Sequence, residues 1–133
     1  MFENVSTLII NRLKKSSIAY KSTDPNEQGK NIILYSDDSE FSEPPYVVVK
    51  PEIGVREKTR RYRIIVHMEK GNFNALEDYT LKELDSLLLK DYLIDEEGSR
   101  FKLHVSGYTD ILPEPTDNTY FMERIYFTPL TIR

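Results

Sequence analysis

The stretch Pro44–Glu69, PPYVVVKPEIGVREKTRRYRIIVHME, constrains the fold more than any other part of the chain. Its second half alternates. Tyr62, Ile64, Val66 and Met68 fall on one side of an extended strand, and Arg61, Arg63, Ile65, His67 and Glu69 on the other, because successive side chains point to opposite faces. One apolar face and one mostly wet face is the pattern of an antiparallel sheet covered on a single side. Tyr46–Val49 is apolar on both faces, which places it deeper in the sheet. Pro44-Pro45 and Pro51 bracket it, since proline lacks the ladder donor. The expectation is a hairpin with strands Tyr46–Lys50 and Arg61–Glu69, joined by a polar, basic connection.

The flanking segments read as material laid over that hairpin. Phe2 to about Tyr20 is expected to be an amphipathic helix, with Phe2, Val5, Leu8, Ile9 and Leu13 forming one apolar stripe. Lys21–Lys30 is a loop carrying turn residues Asp24-Pro25-Asn26 and Gly29, and Asn31–Ser36 is a short strand. Thr80-Leu81-Lys82-Glu83 has the form of a capping box. It starts a helix whose buried stripe is Leu81, Leu84, Leu88 and Tyr92, with Leu87 beside it and an earlier helical turn over Asn74–Tyr79. Arg100–Ser106 alternates as a strand with Phe101, Leu103 and Val105 inward. A long loop, Gly107–Thr119, leads to the last strand, Tyr120–Thr128. There Phe121, Ile125 and Phe127 share one face and Tyr120, Met122, Arg124 and Tyr126 the other, with Glu123 an inward charge in the first set. The fold class is α+β, a small, mostly antiparallel sheet of about five strands with two helices packed on one face, in a single domain spanning residues 1–133.

Function is harder to read from these residues. A formal charge of −4 disfavours non-specific binding to nucleic acid or an anionic membrane. The absence of cysteine excludes a disulfide frame, a thiolate metal site and a cysteine nucleophile. No apolar run reaches the ~20 residues that span a bilayer. The N-terminus lacks a basic region ahead of its apolar residues, so a signal peptide is not expected. Asp37, Asp38, Glu40 and Glu43 do not follow the spacing of an EF-hand loop and read as solvated acid. So do Asp95, Glu96 and Glu97, which end the second helix in a turn. His67 and His104 fall on polar strand faces without ligand spacing and read as two surface histidines. No catalytic, cofactor or metal motif occurs. The best local lead is charge: Lys50, Arg56, Lys58, Arg60, Arg61 and Arg63 face only Glu52 and Glu57, a local excess of four positive charges.

The order helix, strand, hairpin, helix, strand, long loop, strand resembles the small tail-terminator and tail-completion (neck, head–tail joining) proteins of long-tailed bacteriophages. The strand Pro45–Val49, PYVVV, and the closing aromatic strand Tyr120–Phe127 carry the likeness in detail. The resemblance implies a non-enzymatic structural protein of the virion, assembled in the bacterial host cytoplasm and needing no cofactor. It implies a ring, typically hexameric, that caps the tail tube protein and docks to the head–tail connector protein, with DNA passing through the lumen without sequence-specific binding. The family has no strict functional signature to carry over, so the candidate contacts are this chain's own: the basic connection (Lys50, Arg56, Lys58, Arg60, Arg61, Arg63), which could face a protein neighbour or DNA, the loop residues Tyr108 and Asp110, and Glu123 and Arg124 on the last strand. Two other classes compete. One is a monomeric adaptor binding an acidic protein or nucleic acid through residues 50–63. The other is a small enzyme using His67, His104 or Asp95–Glu97.

Overall fold

The computed structural model describes residues 3–36, 43–54, 59–113 and 118–129. Helix α1 (Glu3–Leu13) leads to a three-residue strand β1 (Ile32–Leu34), then the long strands β2 (Tyr46–Gly54) and β3 (Thr59–Glu69). A continuous helix follows, made of α2 (Phe73–Asp78), a π-helical turn (Tyr79–Glu83) and α3 (Leu84–Leu88). The remaining elements are β4 (Leu93–Ile94), β5 (Arg100–Phe101), β6 (His104–Tyr108), β7 (Leu112–Pro113) and β8 (Thr119–Pro129). Six strands form one sheet in the order β1-β2-β3-β8-β6, with β7 also paired to β8, while β4 and β5 make a separate two-stranded ribbon. The class is α+β and mostly antiparallel; among the described strands only β1 runs parallel to its neighbour, β2.

The alternation of β3 fixes the core. Tyr62, Ile64, Val66 and Met68 are buried against Val5, Ile9 and Leu13 of α1 and Leu76, Tyr79, Leu84 and Leu88 of the second helix. Val47 and Val49 of β2 and Met122 and Tyr126 of β8 complete that face. Both helices thus pack on one side of the sheet. They run antiparallel to each other: Arg12 reaches the end of the second helix, and Ser16 and Ser17 reach its middle. The carbonyls that a helix C-terminus leaves unpaired are met by cations. Arg12 donates to the Leu87 and Tyr92 carbonyls (both 3.2 Å), and Lys102 Nζ to that of Leu89.

Several expectations require correction. Helix α1 ends at Leu13 rather than near Tyr20, because the chain tightens into i→i+3 bonds (Lys15 to Arg12, Ser16 to Leu13) and Ser17 is held by Glu83. Pro51 does not end β2, which continues to Gly54. Val47 N and Val49 O bond on the β1 side, and alternation puts the Pro51 nitrogen on that side too, past the last β1 pair, Leu34 with Val49. No ladder donor is lost there. The basic connection is therefore mostly strand, in register from Lys50–Arg63 to Gly54–Thr59.

Thr80 is no N-cap. It lies inside the continuous helix, fully buried, and Glu83 turns away from it to bind Ser17. Tyr79 and Leu84, five residues apart, both join the core, and the π turn supplies the extra residue this spacing needs. Leu81 is only partly buried and Tyr92 is exposed. Arg100–Ser106 is split between β5 and β6, in different sheets, with the fully buried Leu103 between them.

Two buried contacts hold the α1–β1 connection. Asn31 donates to the carbonyls of Ile18 (2.8 Å) and Pro45 (2.9 Å) and accepts from Tyr20 N (2.8 Å). Gly29 has φ +69° and lies so close to Lys14 that a Cβ would fall 2.6 Å from the Lys14 Cβ, so only glycine fits.

Candidate protein-contact face

Because side chains alternate, the register places a second set of residues on the sheet face opposite the helices. Val48 and Lys50 of β2, Arg61, Arg63, Ile65 and His67 of β3, Phe121, Glu123, Ile125 and Phe127 of β8, His104 of β6 and Leu112 of β7 share it. None of them belongs to the core cluster beneath the helices. Strand β8 is therefore oriented the other way from expectation. Met122 and Tyr126 face the core, whereas Phe121, Glu123, Ile125 and Phe127 face away. Glu123 is not an inward charge on an edge, since β8 lies between β3 and β6. Both faces of β8 are rich in apolar residues, so its own pattern could not choose between them.

A charge bridge crosses this face. Arg63 Nε donates to Glu52 Oε1 and Arg63 Nη1 to Glu123 Oε2, both at 2.9 Å, linking β2, β3 and β8. Hydrogen bonding to Glu52, reinforced by the charge of Glu123, holds the Arg63 pKa above its ordinary value against partial burial. Glu123 is fixed in turn by Thr109, whose Oγ1 accepts from Glu123 N and whose own N–H donates to the Glu123 carbonyl. The Lys50 ammonium lies 4.8 Å from the Tyr35 ring. Around the bridge, Ile65, Phe121, Ile125 and Phe127 are half-buried and Leu112 is exposed. His67 stacks on Tyr46 at 4.2 Å and is buried, and His104 lies 5.3 Å from the Phe127 ring. His67 is therefore not a surface histidine, because Tyr46 and Phe121 flank it.

The nominated residues do not form one patch. Lys50, Arg61, Arg63 and Glu123 share the helix-free face. Alternation puts Arg60 on the other side with Tyr62, whose phenol it acts on. Arg124 is also on the helix side, bonded to Asp85 through Nε (3.2 Å) and Nη2 (2.6 Å), with Tyr126 donating to the same carboxylate at 2.6 Å. Tyr108 covers Arg124, ring centroid to guanidinium 5.7 Å, and Asp110 is exposed in the loop after β6. Arg56 and Lys58 lie outside the described residues, as do Asp37, Asp38 and Glu40. Sequence reasoning missed Asp85 and Asn31, whose partners are remote in the chain and leave no local signal.

The competing chemistries find little geometry. His67 pairs with Phe121 and His104 with Phe127 across β8, a separation of about 20 Å at strand rise. Asp95 Oδ1 is occupied by the N–H groups of Glu97 and Ser99 and shapes their turn. That turn and α1 flank a groove of 390 Å³ lined by Thr7, Leu8, Asn11, Ile94, Asp95, Glu96 and Glu97. Among the described residues no group of three or more histidine, aspartate or glutamate side chains is placed to hold a metal, and no helix is long and apolar enough to cross a membrane. The sequence matches no protein-family model and no curated protein.

Proposed function

We propose that this chain is a non-enzymatic structural subunit that closes into a ring, typically hexameric, at the head-proximal end of a long phage tail. In that role it ends growth of the tail tube protein, presents a surface to the head–tail connector protein, and acts in the neck of a virion assembled in the host cytoplasm. The observation that carries the reading is the helix-free sheet face, where Lys50, Arg61, Arg63 and Glu123 meet among half-buried aliphatic and aromatic side chains. A face of this composition fits protein contact better than polyanion binding. Arg63, the last cation of the basic segment, is already bonded to two carboxylates, which a nucleic acid would have to displace. Net negative charge likewise suits a ring through which DNA slides without adhering.

The test is the mass in solution by light scattering behind size exclusion, over a concentration series with and without polymerising tail tube protein. A discrete oligomer, or the chain bound at tube ends with shortened tubes, is expected. A strict monomer that leaves tube length unchanged removes this reading. Tight, salt-sensitive binding of that monomer to an acidic partner would replace it with the adaptor.

A further inference from the structure

The connection between α1 and β1 encloses a pocket, and we infer that it binds a phosphate group, free or as a small phosphomonoester. The pocket has a volume of about 400 Å³ and is lined by Lys15, Ser16, Lys21, Ser22, Thr23 and Gln28. An imbalance between donors and acceptors carries the inference. The side-chain acceptors are engaged from within: Gln28 Oε1 accepts from Ser22 N–H (2.8 Å), Ser22 Oγ from Asp24 N–H (3.1 Å) and Ser16 Oγ from the Tyr79 hydroxyl (2.8 Å). The donors are unspent. Among the described residues, no carboxylate lies within ion-pair distance of Lys15 or Lys21, and no acceptor meets the hydroxyl protons of Ser16, Ser22 and Thr23. Ser16 is only 4% exposed, and a buried donor is costly to leave unpaired. The region's carboxylates have partners of their own: Asp24 Oδ1 takes the Asn26 N–H, Glu27 pairs with Lys30 at 3.6 Å, and Glu83 holds Ser17. In a chain of net charge −4, two ammonium groups thus line one cavity with no described counter-ion.

The donor set selects the ligand. Two lysines and three hydroxyls offer more hydrogens than the two oxygens of a carboxylate accept. A phosphate group brings three strong acceptor oxygens and a charge near −2 at neutral pH, which two ammonium groups balance, and lysine binds phosphate as a point charge. No aromatic side chain is among the lining residues, so the pocket grips the phosphate and not a base. The end of α1 does not oppose an anion, because its carbonyls are capped: those of Ile10, Arg12, Leu13 and Lys14 accept from Lys14, Lys15, Ser16 and Gln28. The site is also formed in advance. Gln28 Nε2 donates to the Lys14 carbonyl (2.9 Å), Gly29 N–H donates to that of Tyr20 (2.7 Å), and Gly29 packs on Lys14. These bonds hold Lys21–Thr23 beside the end of α1 before a ligand arrives, which spares binding the cost of ordering the loop.

The experiment titrates the isotope-labelled full chain with inorganic phosphate, glycerol phosphate and acetate at constant ionic strength, followed by amide NMR. Saturable shifts of the Lys21, Ser22 and Thr23 amides are expected with both phosphates, and acetate should bind at least about tenfold more weakly. Lys15→Met combined with Lys21→Met should weaken phosphate binding on the order of a hundredfold, roughly tenfold per charge. Both lysines are exposed, so the urea midpoint should not move. Lys70→Met, at an exposed position outside the pocket, should leave binding unchanged. Glycerol phosphate binding at least as tightly as inorganic phosphate assigns the site to a phosphomonoester, and the reverse order assigns it to the free ion. No saturation by either phosphate in the millimolar range, an equal loss in Lys70→Met, or acetate binding as tightly as phosphate overturns the inference.

Discussion

Three tyrosines are buried beneath the helices, and raising the pH should break the fold through them. Tyr62 lies in the core, and burial pushes its phenol from 10.0 up to about 12, with the nearby Arg60 guanidinium opposing the shift in part. Burial also raises Tyr79, although its hydroxyl donates to Ser16 Oγ at 2.8 Å. Tyr126 is raised by burial and by its bond to the Asp85 carboxylate. A phenol held neutral in the folded state and free to ionise in the unfolded one keeps more protons when folded. Its contribution is complete below pH 10 and is lost as pH rises toward the folded value. For Tyr62 the window is pH 10 to 12, and the loss amounts to about 3 kcal/mol at 1.4 kcal/mol per unit. Tyr79 and Tyr126 deepen it in the same direction.

The assay is phenolate absorbance recorded against pH alongside far-ultraviolet circular dichroism. Tyr62, Tyr79 and Tyr126 should ionise only in a cooperative step that coincides with loss of secondary structure. Tyr62→Phe should flatten the fall of stability with pH by up to one proton, about 1.4 kcal/mol per pH unit. Ionisation of Tyr62, Tyr79 and Tyr126 in a chain that stays folded would refute this account of the core.

Other perturbations test the second helix. Asp85→Ala leaves Arg124 and the fully buried Tyr126 hydroxyl without their shared acceptor. Breaking a buried pair costs about 3–5 kcal/mol, and with side chains 27% and 12% exposed the loss in urea denaturation should be about 2–3 kcal/mol. A change no larger than that of a surface alanine would show that the cluster contributes nothing. Thr80→Val should instead stabilise by about 1 kcal/mol, because the Thr80 Oγ1 is buried and no hydrogen bond from the described residues meets it; destabilisation would mean that the π turn depends on this hydroxyl.

Much of the second helix was hidden for the same reason that these variants are informative. The capping-box spelling at Thr80–Glu83 is a local signal, but the helix had already begun at Phe73 and the glutamate had a better partner in Ser17. The ion pair that organises the contact face was equally illegible. Arg63 and Glu123 are 60 residues apart, and Glu52 reaches Arg63 only because β2 runs on through Pro51. Of the nominated contact residues, Lys50, Arg61, Arg63 and Glu123 came together on one face, while Arg60 turned to the other with Tyr62. Arg124 did not join the first group, since its neighbours on the helix side include a carboxylate from the helix above.

Alone, the sequence determined whatever depends on period. The two-residue alternation of Tyr62, Ile64, Val66 and Met68 could satisfy burial in only one strand orientation, and the stripe Val5, Ile9 and Leu13 in only one helix face. Tertiary structure decided whatever was locally degenerate. Strand β8 is apolar on both sides, so only its 11-residue pairing with β3 sent Met122 and Tyr126 to the core and left Phe121, Ile125 and Phe127 outside. A strand's own pattern fixes its orientation when one face is polar; when neither is, the neighbouring strand fixes it.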